Sequence, residues 1–167
     1  MPLIVLLGAP GAGKSTIGLM LAKELKLGFV DTDKEIEKTS GMSVSQIFIE
    51  EGEEKFRALE MEELKKGLNS SAGVLSLGGG APISQEAQTL LKNSVSTKIF
   101  LDVSLATAAP RVGFNRDRPL LLGNPRAQWQ ALLEKRRPIY EEVADHIINV
   151  DHGKPSAIVS EIVGLLK

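Results

Sequence analysis

Residues 8–15 read Gly8-Ala9-Pro10-Gly11-Ala12-Gly13-Lys14-Ser15, a complete G-x-x-x-x-G-K-[ST] pattern. Leu3–Leu7 ahead of it is an unbroken apolar run, and behind it Ile17, Met20, Leu21 and Leu25 recur at i, i+3, i+4 and i+8. The first pattern is that of a buried strand, the second that of an amphipathic helix. A glycine loop between two such elements is a phosphate cradle, because its backbone N–H groups turn inward and the helix N-terminus adds partial positive charge. Gly11, Ala12, Gly13 and Thr16 would line it, Lys14 would bridge the β- and γ-phosphates, and the Ser15 hydroxyl would ligate Mg²⁺. A plain glycine turn explains neither the lysine nor the hydroxyl, so we read residues 8–16 as a nucleotide site.

Outward from the loop, short apolar runs alternate with longer stretches of helical period, which is the mark of an α/β fold with a parallel sheet covered on both faces. The predicted strands are Leu3–Leu7, Phe29-Val30, Val74–Leu77, Lys98–Val103 and Ile147–Val150. Helical segments are predicted over 34–68, including Ser43–Glu50 and Glu53–Leu68, then from an N-cap at Ser84 to Asn93 and near 104–112. Pro110 should bend that last helix or mark its end, and Pro138 should interrupt a helix over 126–143. Ile158, Ile162, Leu165 and Leu166 form one stripe of a closing helix. Residues 113–125, rich in glycine and proline, read as a loop.

The 167 residues suit one domain. With 43% hydrophobic and 25% charged residues and mean hydropathy near zero, neither a disordered chain nor a membrane protein fits. A net charge of −1 and seven aromatic residues argue against a nucleic-acid partner. The lack of cysteine, with only two histidines, removes thiol nucleophiles and leaves little for a transition metal. No addressing segment is read, so a cytoplasmic location is expected. The base-reading NKxD element of switch GTPases is also missing, which leaves kinases of small metabolites as the natural class for such a loop.

An acid near the magnesium has two candidates, Asp31-Thr32-Asp33 and Asp102 at the end of Ile99-Phe100-Leu101. Only the first pair offers two carboxylates, one for metal-bound water and one for a substrate hydroxyl. Asp102 reads better as a helix cap, although Asp31 and Asp33 would also serve as an N-cap pair. Six of seven arginines fall between 111 and 137, an anion-handling segment. Arg136 lies on an apolar stripe with Trp129, Leu132 and Leu133; it is either an inward cation or a snorkelling surface one. Arg57 shares a face with Met61, Leu64 and Leu68, and Glu53 and Glu60 offer it helical pairs. Gly78-Gly79-Gly80 after a buried strand would let a ligand approach the backbone. By segment, residues 35–63 carry nine acids against three bases, whereas 111–137 carry seven bases against two acids. The acidic block reads as solvated helix faces, with Arg57 as its lone inward member.

These residues resemble the shikimate kinase family along the length of the chain: GAPGAGKST at 8–16, DTD at 31–33, GEEKFRALE at 52–60, SLGGGA at 76–81, RPLL at 118–121, KRRPIY at 135–140, and Pro155. The resemblance implies ATP-dependent phosphorylation of shikimate at its 3-hydroxyl, a step toward chorismate and aromatic amino acids, with ATP and Mg²⁺ as cofactors. It implies a three-layer α/β/α sandwich of the P-loop type with a five-stranded parallel sheet in order 2-3-1-4-5. This would be a single domain over 1–167, with a substrate segment at about 34–63 and a lid at about 112–125, acting as a monomer. It places Asp33, Arg57, Gly79, Gly80 and Arg136 on shikimate, the arginines at its carboxylate. Arg118 becomes the lid cation and, with Lys14 and Asp33, part of the catalytic set. Ser15 and Asp31 serve magnesium directly or through water, and Arg111 and Pro155 sandwich adenine. Other readings are a kinase of gluconate or of a nucleoside monophosphate, or a nucleotide-binding regulator without turnover.

Overall fold

The computed structural model describes residues 2–112 and 124–167. Its strands are β1 (Leu3–Leu7), β2 (Phe29–Asp31), β3 (Gly73–Ser76), β4 (Thr97–Asp102) and β5 (His146–Asn149). The helices are α1 (Lys14–Leu25), α2 (Thr32–Ser40), α3 (Val44–Glu50), α4 (Glu53–Leu68), α5 (Gln85–Asn93), α6 (Leu105–Val112), α7 (Pro125–Val143) and α8 (Pro155–Leu165). All strand pairs are parallel, in the order β2-β3-β1-β4-β5 expected above.

β1 lies in the middle of the sheet and is buried at every position, which is why its sequence is continuously apolar rather than alternating. Its neighbours are β3 and β4, so the strand order reverses beside it. Open α/β sheets bind ligands at the carboxyl end of such a reversal, and the glycine loop leaves β1 at that point. One core spans the sheet and its flanking helices. A satellite of Ile36, Ile47 and Phe56 gives α2, α3 and α4 a small core of their own. Local chemistry starts these helices: Asp31 caps α2, Ser43 and Gln46 form a capping box on α3, and Ser84 caps α5.

Two expectations need correction. α7 runs unbroken through Pro138. The proline leaves the Glu134 carbonyl without its helical donor, but both residues face solvent, where water satisfies it. α6 spans Leu105–Val112 as expected, so of the two roles open to Pro110 it does not mark the end of the helix. In α8 the buried side chains are Ile158, Val159 and Ile162, while Leu165 is 43% exposed, so the stripe turns outward before the helix ends.

Candidate active site

Gly8, Gly11 and Gly13 adopt φ of 151°, 89° and 88°, values that side chains resist, and this lets the chain turn from β1 into α1 within a few residues. At Gly8 space is restricted too, since a Cβ there would lie 2.7 Å from the Leu101 carbonyl. Lys14 Nζ arches over the loop and donates to the carbonyls of Gly8 (2.7 Å) and Ala9 (3.1 Å). A cavity of about 430 Å³ opens here, bordered by Gly11, Gly13, Lys14, Ser15 and Thr16 from the loop. Arg111 and Pro155 border it as well, and Arg111 Nη1 donates to the Gly11 carbonyl at 3.1 Å. Ala12 is placed differently from expectation. Its side chain is in the core and its N–H donates to the Ala9 carbonyl (3.2 Å), so it closes the turn rather than lining the cavity.

A second cavity of about 530 Å³ is bordered by Asp33, Arg57, Glu60, Gly79, Gly80 and Arg136. Its glycines are required by their neighbours. A Cβ on Gly78 would lie 2.6 and 3.0 Å from the Asp33 carboxylate oxygens, and one on Gly79 would lie 3.3 Å from Arg136 Nη1. On Gly80 it would collide with the Arg57 guanidinium, 2.8 Å from Cζ. Three predicted substrate-side charges thus each press on one glycine of the loop after β3. Arg136 is only 9% exposed, so the snorkelling alternative fails.

Arg57 does make both helical pairs, with Glu60 at 2.7 Å and Glu53 at 3.3 Å, and lies against the rings of Phe48 and Phe56. It nevertheless borders the cavity, so pairing and an inward role coincide. Burial works against its charge, and Glu60 and Glu53 more than offset this, holding the guanidinium above its ordinary value. Glu60 is 4% exposed. Burial pushes its carboxyl above the usual glutamate value despite Arg57, and the nearby Asp33 charge adds to the rise. The acidic segment is therefore not merely a solvated face; Glu63 is buried as well, paired with Lys66 at 3.1 Å.

The two cavities meet at Pro10, Ser15, Asp31, Asp33 and Gly79. Ser15 Oγ donates to the Asp31 carboxylate, whose other oxygen accepts from Lys34 N–H at 3.2 Å. The buried Thr32 hydroxyl accepts from Gly78 N–H (3.1 Å), tying the DTD junction to the glycine loop. One hydroxyl and one carboxylate in contact, with no cluster of three acidic or histidine ligands among the described residues, fit a magnesium ion that keeps waters and phosphate oxygens as its other ligands. Asp102 is not the helix cap expected: Arg137 grips it bidentately at 2.6 and 2.8 Å while lying over Phe100, and at the start of α6 it is Ser104 Oγ that accepts from Thr107 N–H at 3.4 Å. Arg116, Asp117, Arg118 and most of the expected lid lie outside the described residues.

Sequence reasoning missed Glu60, Thr32, Trp129 and Tyr140 as parts of the site. Tyr140 Oη donates to the Gly79 carbonyl at 2.6 Å, and burial pushes its hydroxyl up to about 12. Both Glu60 and Tyr140 stand inside motifs quoted above, GEEKFRALE and KRRPIY, which was the available signal.

A P-loop at the reversal of a 2-3-1-4-5 sheet, opening onto a second cavity lined by arginine, is the arrangement of the P-loop kinases of small molecules. The shikimate kinase family model matches residues 10–167. A shikimate kinase of Thermobifida fusca is 47% identical over 92% of this chain and 88% of its own length, and one of Rhodococcus jostii 45% identical over 99% and 98%. The solved shikimate kinase from Acinetobacter baumannii, in complex with shikimate, superposes with a TM-score of 0.94 at 35% identity, covering 99% of this chain and 93% of that one. The chain belongs to the shikimate kinase family.

Proposed function

We propose that this protein transfers the γ-phosphoryl group of ATP to the 3-hydroxyl of shikimate, as a monomer in the cytoplasm and without nucleic acid or membrane. The observation that carries the reading is the meeting of the two cavities at Ser15, Asp31 and Asp33, with Arg57 and Arg136 on the acceptor side. Family membership and the shikimate-bound relative support the acceptor. Among the described residues no helix is long and apolar enough to cross a membrane.

In this reading Arg57 and Arg136 bind the acceptor carboxylate, since a guanidinium offers paired donors in a planar fork. Asp33 and the Gly79 and Gly80 amides hold the hydroxyls. Asp33 is an orienter first and a proton acceptor second, because phosphoryl transfer is loose and depends on position and charge more than on a strong base. Lys14 turns from the loop carbonyls to the β- and γ-phosphates, while Gly11, Gly13 and Thr16 hold phosphate from the loop. Arg111 and Pro155 flank the adenine, and Arg118 supplies the lid cation. Ser15 directly, and Asp31 through water, would hold a magnesium ion, which when bound neutralises phosphate charge.

A coupled ATP-consumption assay with shikimate, gluconate and nucleoside monophosphates as acceptors tests the proposal. ADP release with shikimate and a product phosphorylated at O3 by NMR are the expected results. Turnover confined to another acceptor, or none with any, would overturn it.

A further inference from the structure

Trp129, the only tryptophan of the chain, is 1% exposed, and its indole Nε1 donates to the Pro10 carbonyl at 3.0 Å. A buried indole N–H needs an acceptor. Here it takes one from the loop that cradles phosphate, at a residue bordering both cavities. The peptide bond from Pro10 to Gly11 is planar and trans, so holding the carbonyl also fixes the direction of the Gly11 N–H, which points the opposite way. Trp129, Leu133, Arg136 and Tyr140 occupy one buried stripe of α7. From that stripe Arg136 reaches the acceptor cavity and Tyr140 holds the Gly79 carbonyl. A Cβ on Gly79 would lie 3.3 Å from both Arg136 Nη1 and Pro10 Cδ, which closes a circuit of packed groups between the two ligands.

We propose that Trp129 is a positioning residue: it sets the Pro10–Gly11 peptide of the phosphate loop from the acceptor-binding helix and thereby couples nucleotide binding to acceptor binding. A shift of α7 as Arg136 meets an anion reaches the loop through the indole, and by linkage nucleotide alters acceptor affinity by the same factor. The coupling half of the proposal rests on shikimate as the acceptor.

The test is Trp129→Phe, which keeps a buried ring and removes the donor. Calorimetry should show ADP affinity falling by about three- to tenfold, the effect of losing one neutral hydrogen bond. The ratio of ADP affinities with and without saturating shikimate should move toward one, and KM for ATP should rise more than kcat falls. A variant that melts like the wild type with unchanged ADP affinity, or with an unchanged ratio, overturns the proposal. Emission of the wild type reports position 129 alone and needs no variant. It should change on adding ADP and on adding shikimate; silence toward either overturns the proposal. If the wild type fails to phosphorylate shikimate the functional reading falls, yet the ADP affinities still decide whether Trp129 sets the loop.

Discussion

At the scale of single residues, the acceptor cavity is defined by charges pressed against glycines. Gly80 does not have the positive φ that would demand glycine for conformation; it is glycine because the Arg57 guanidinium occupies the space of a Cβ. That guanidinium is the far end of a flexible side chain, so Gly80→Ala should displace Arg57 rather than the backbone. We expect a change in melting temperature of a few degrees at most and a rise in KM for shikimate of about tenfold or more, the loss of one charge-assisted contact. A rise in KM no larger than the loss of stability explains would remove Arg57 from the acceptor. Arg136→Ala should lower shikimate affinity by about 1.5–3 kcal/mol in calorimetry; unchanged binding would refute the carboxylate clamp. The arginines are legible in sequence because a cation on an apolar stripe is chemically out of place. Glu60 is not, because it is one of nine acids between residues 35 and 63 and stands three residues from Arg57, the spacing of an ordinary surface pair. Only the packing of α4 against the cavity buries it.

At the scale of elements, the patterns that depend on one repeating face are legible: β1, the start of α1, the Ser84 cap and the helices of residues 32–68 lie within a residue or two of expectation. Effects that depend on what surrounds an element are not. Pro138 signals a break, yet α7 absorbs it, because Pro138 and Glu134, whose carbonyl loses its helical donor, stand at exposed positions. α7 also shows how one element supports two parts of the site, since Arg136 borders the second cavity and Tyr140 links the helix to the glycine loop. Burial raises the Tyr140 hydroxyl from 10.0 to about 12, so between those values the folded protein keeps a proton that the unfolded chain releases. Its contribution to stability is whole below the unfolded value and is lost as pH rises through the folded one. Tyr140→Phe removes both the hydrogen bond to Gly79 and this titration. At neutral pH the variant should be less stable by about 1–3 kcal/mol. In urea unfolding, the advantage of the wild type should shrink by about 1 kcal/mol from roughly pH 9 to pH 11. An advantage that stays constant or grows over that range would contradict the burial of an un-ionised hydroxyl.

At the scale of the whole molecule, the sheet reversal beside β1 brings the phosphate loop, the DTD junction of β2 and α2 and the glycine loop after β3 to one edge. The hydrogen bonds from Ser15 to Asp31 and from Gly78 to Thr32 join those three segments directly. The charge balance is finer than its segments suggest: within the basic block Arg111 borders the cavity at the phosphate loop, Arg136 borders the second cavity, and Arg137 pairs with Asp102. Because the two cavities share a wall, the proposed transfer can take place with donor and acceptor held side by side, and among the described residues neither cysteine nor histidine borders either cavity to carry the phosphoryl group in between. Transfer should therefore be direct. Double-reciprocal plots of initial velocity against ATP at several shikimate concentrations should intersect, and transfer from a chirally labelled γ-phosphoryl group should invert configuration at phosphorus. Parallel lines with retention would require a phosphorylated group on the enzyme, for which Ser15, Asp31 and Asp33 are the nucleophiles within the shared wall. In that case the wild type would exchange isotope between ADP and ATP without acceptor, and one of Ser15→Ala, Asp31→Asn or Asp33→Asn, whichever removes the carrier, would abolish that exchange. With direct transfer there is no such exchange to abolish in the wild type, because the phosphoryl group leaves ADP only when the acceptor hydroxyl is there to receive it.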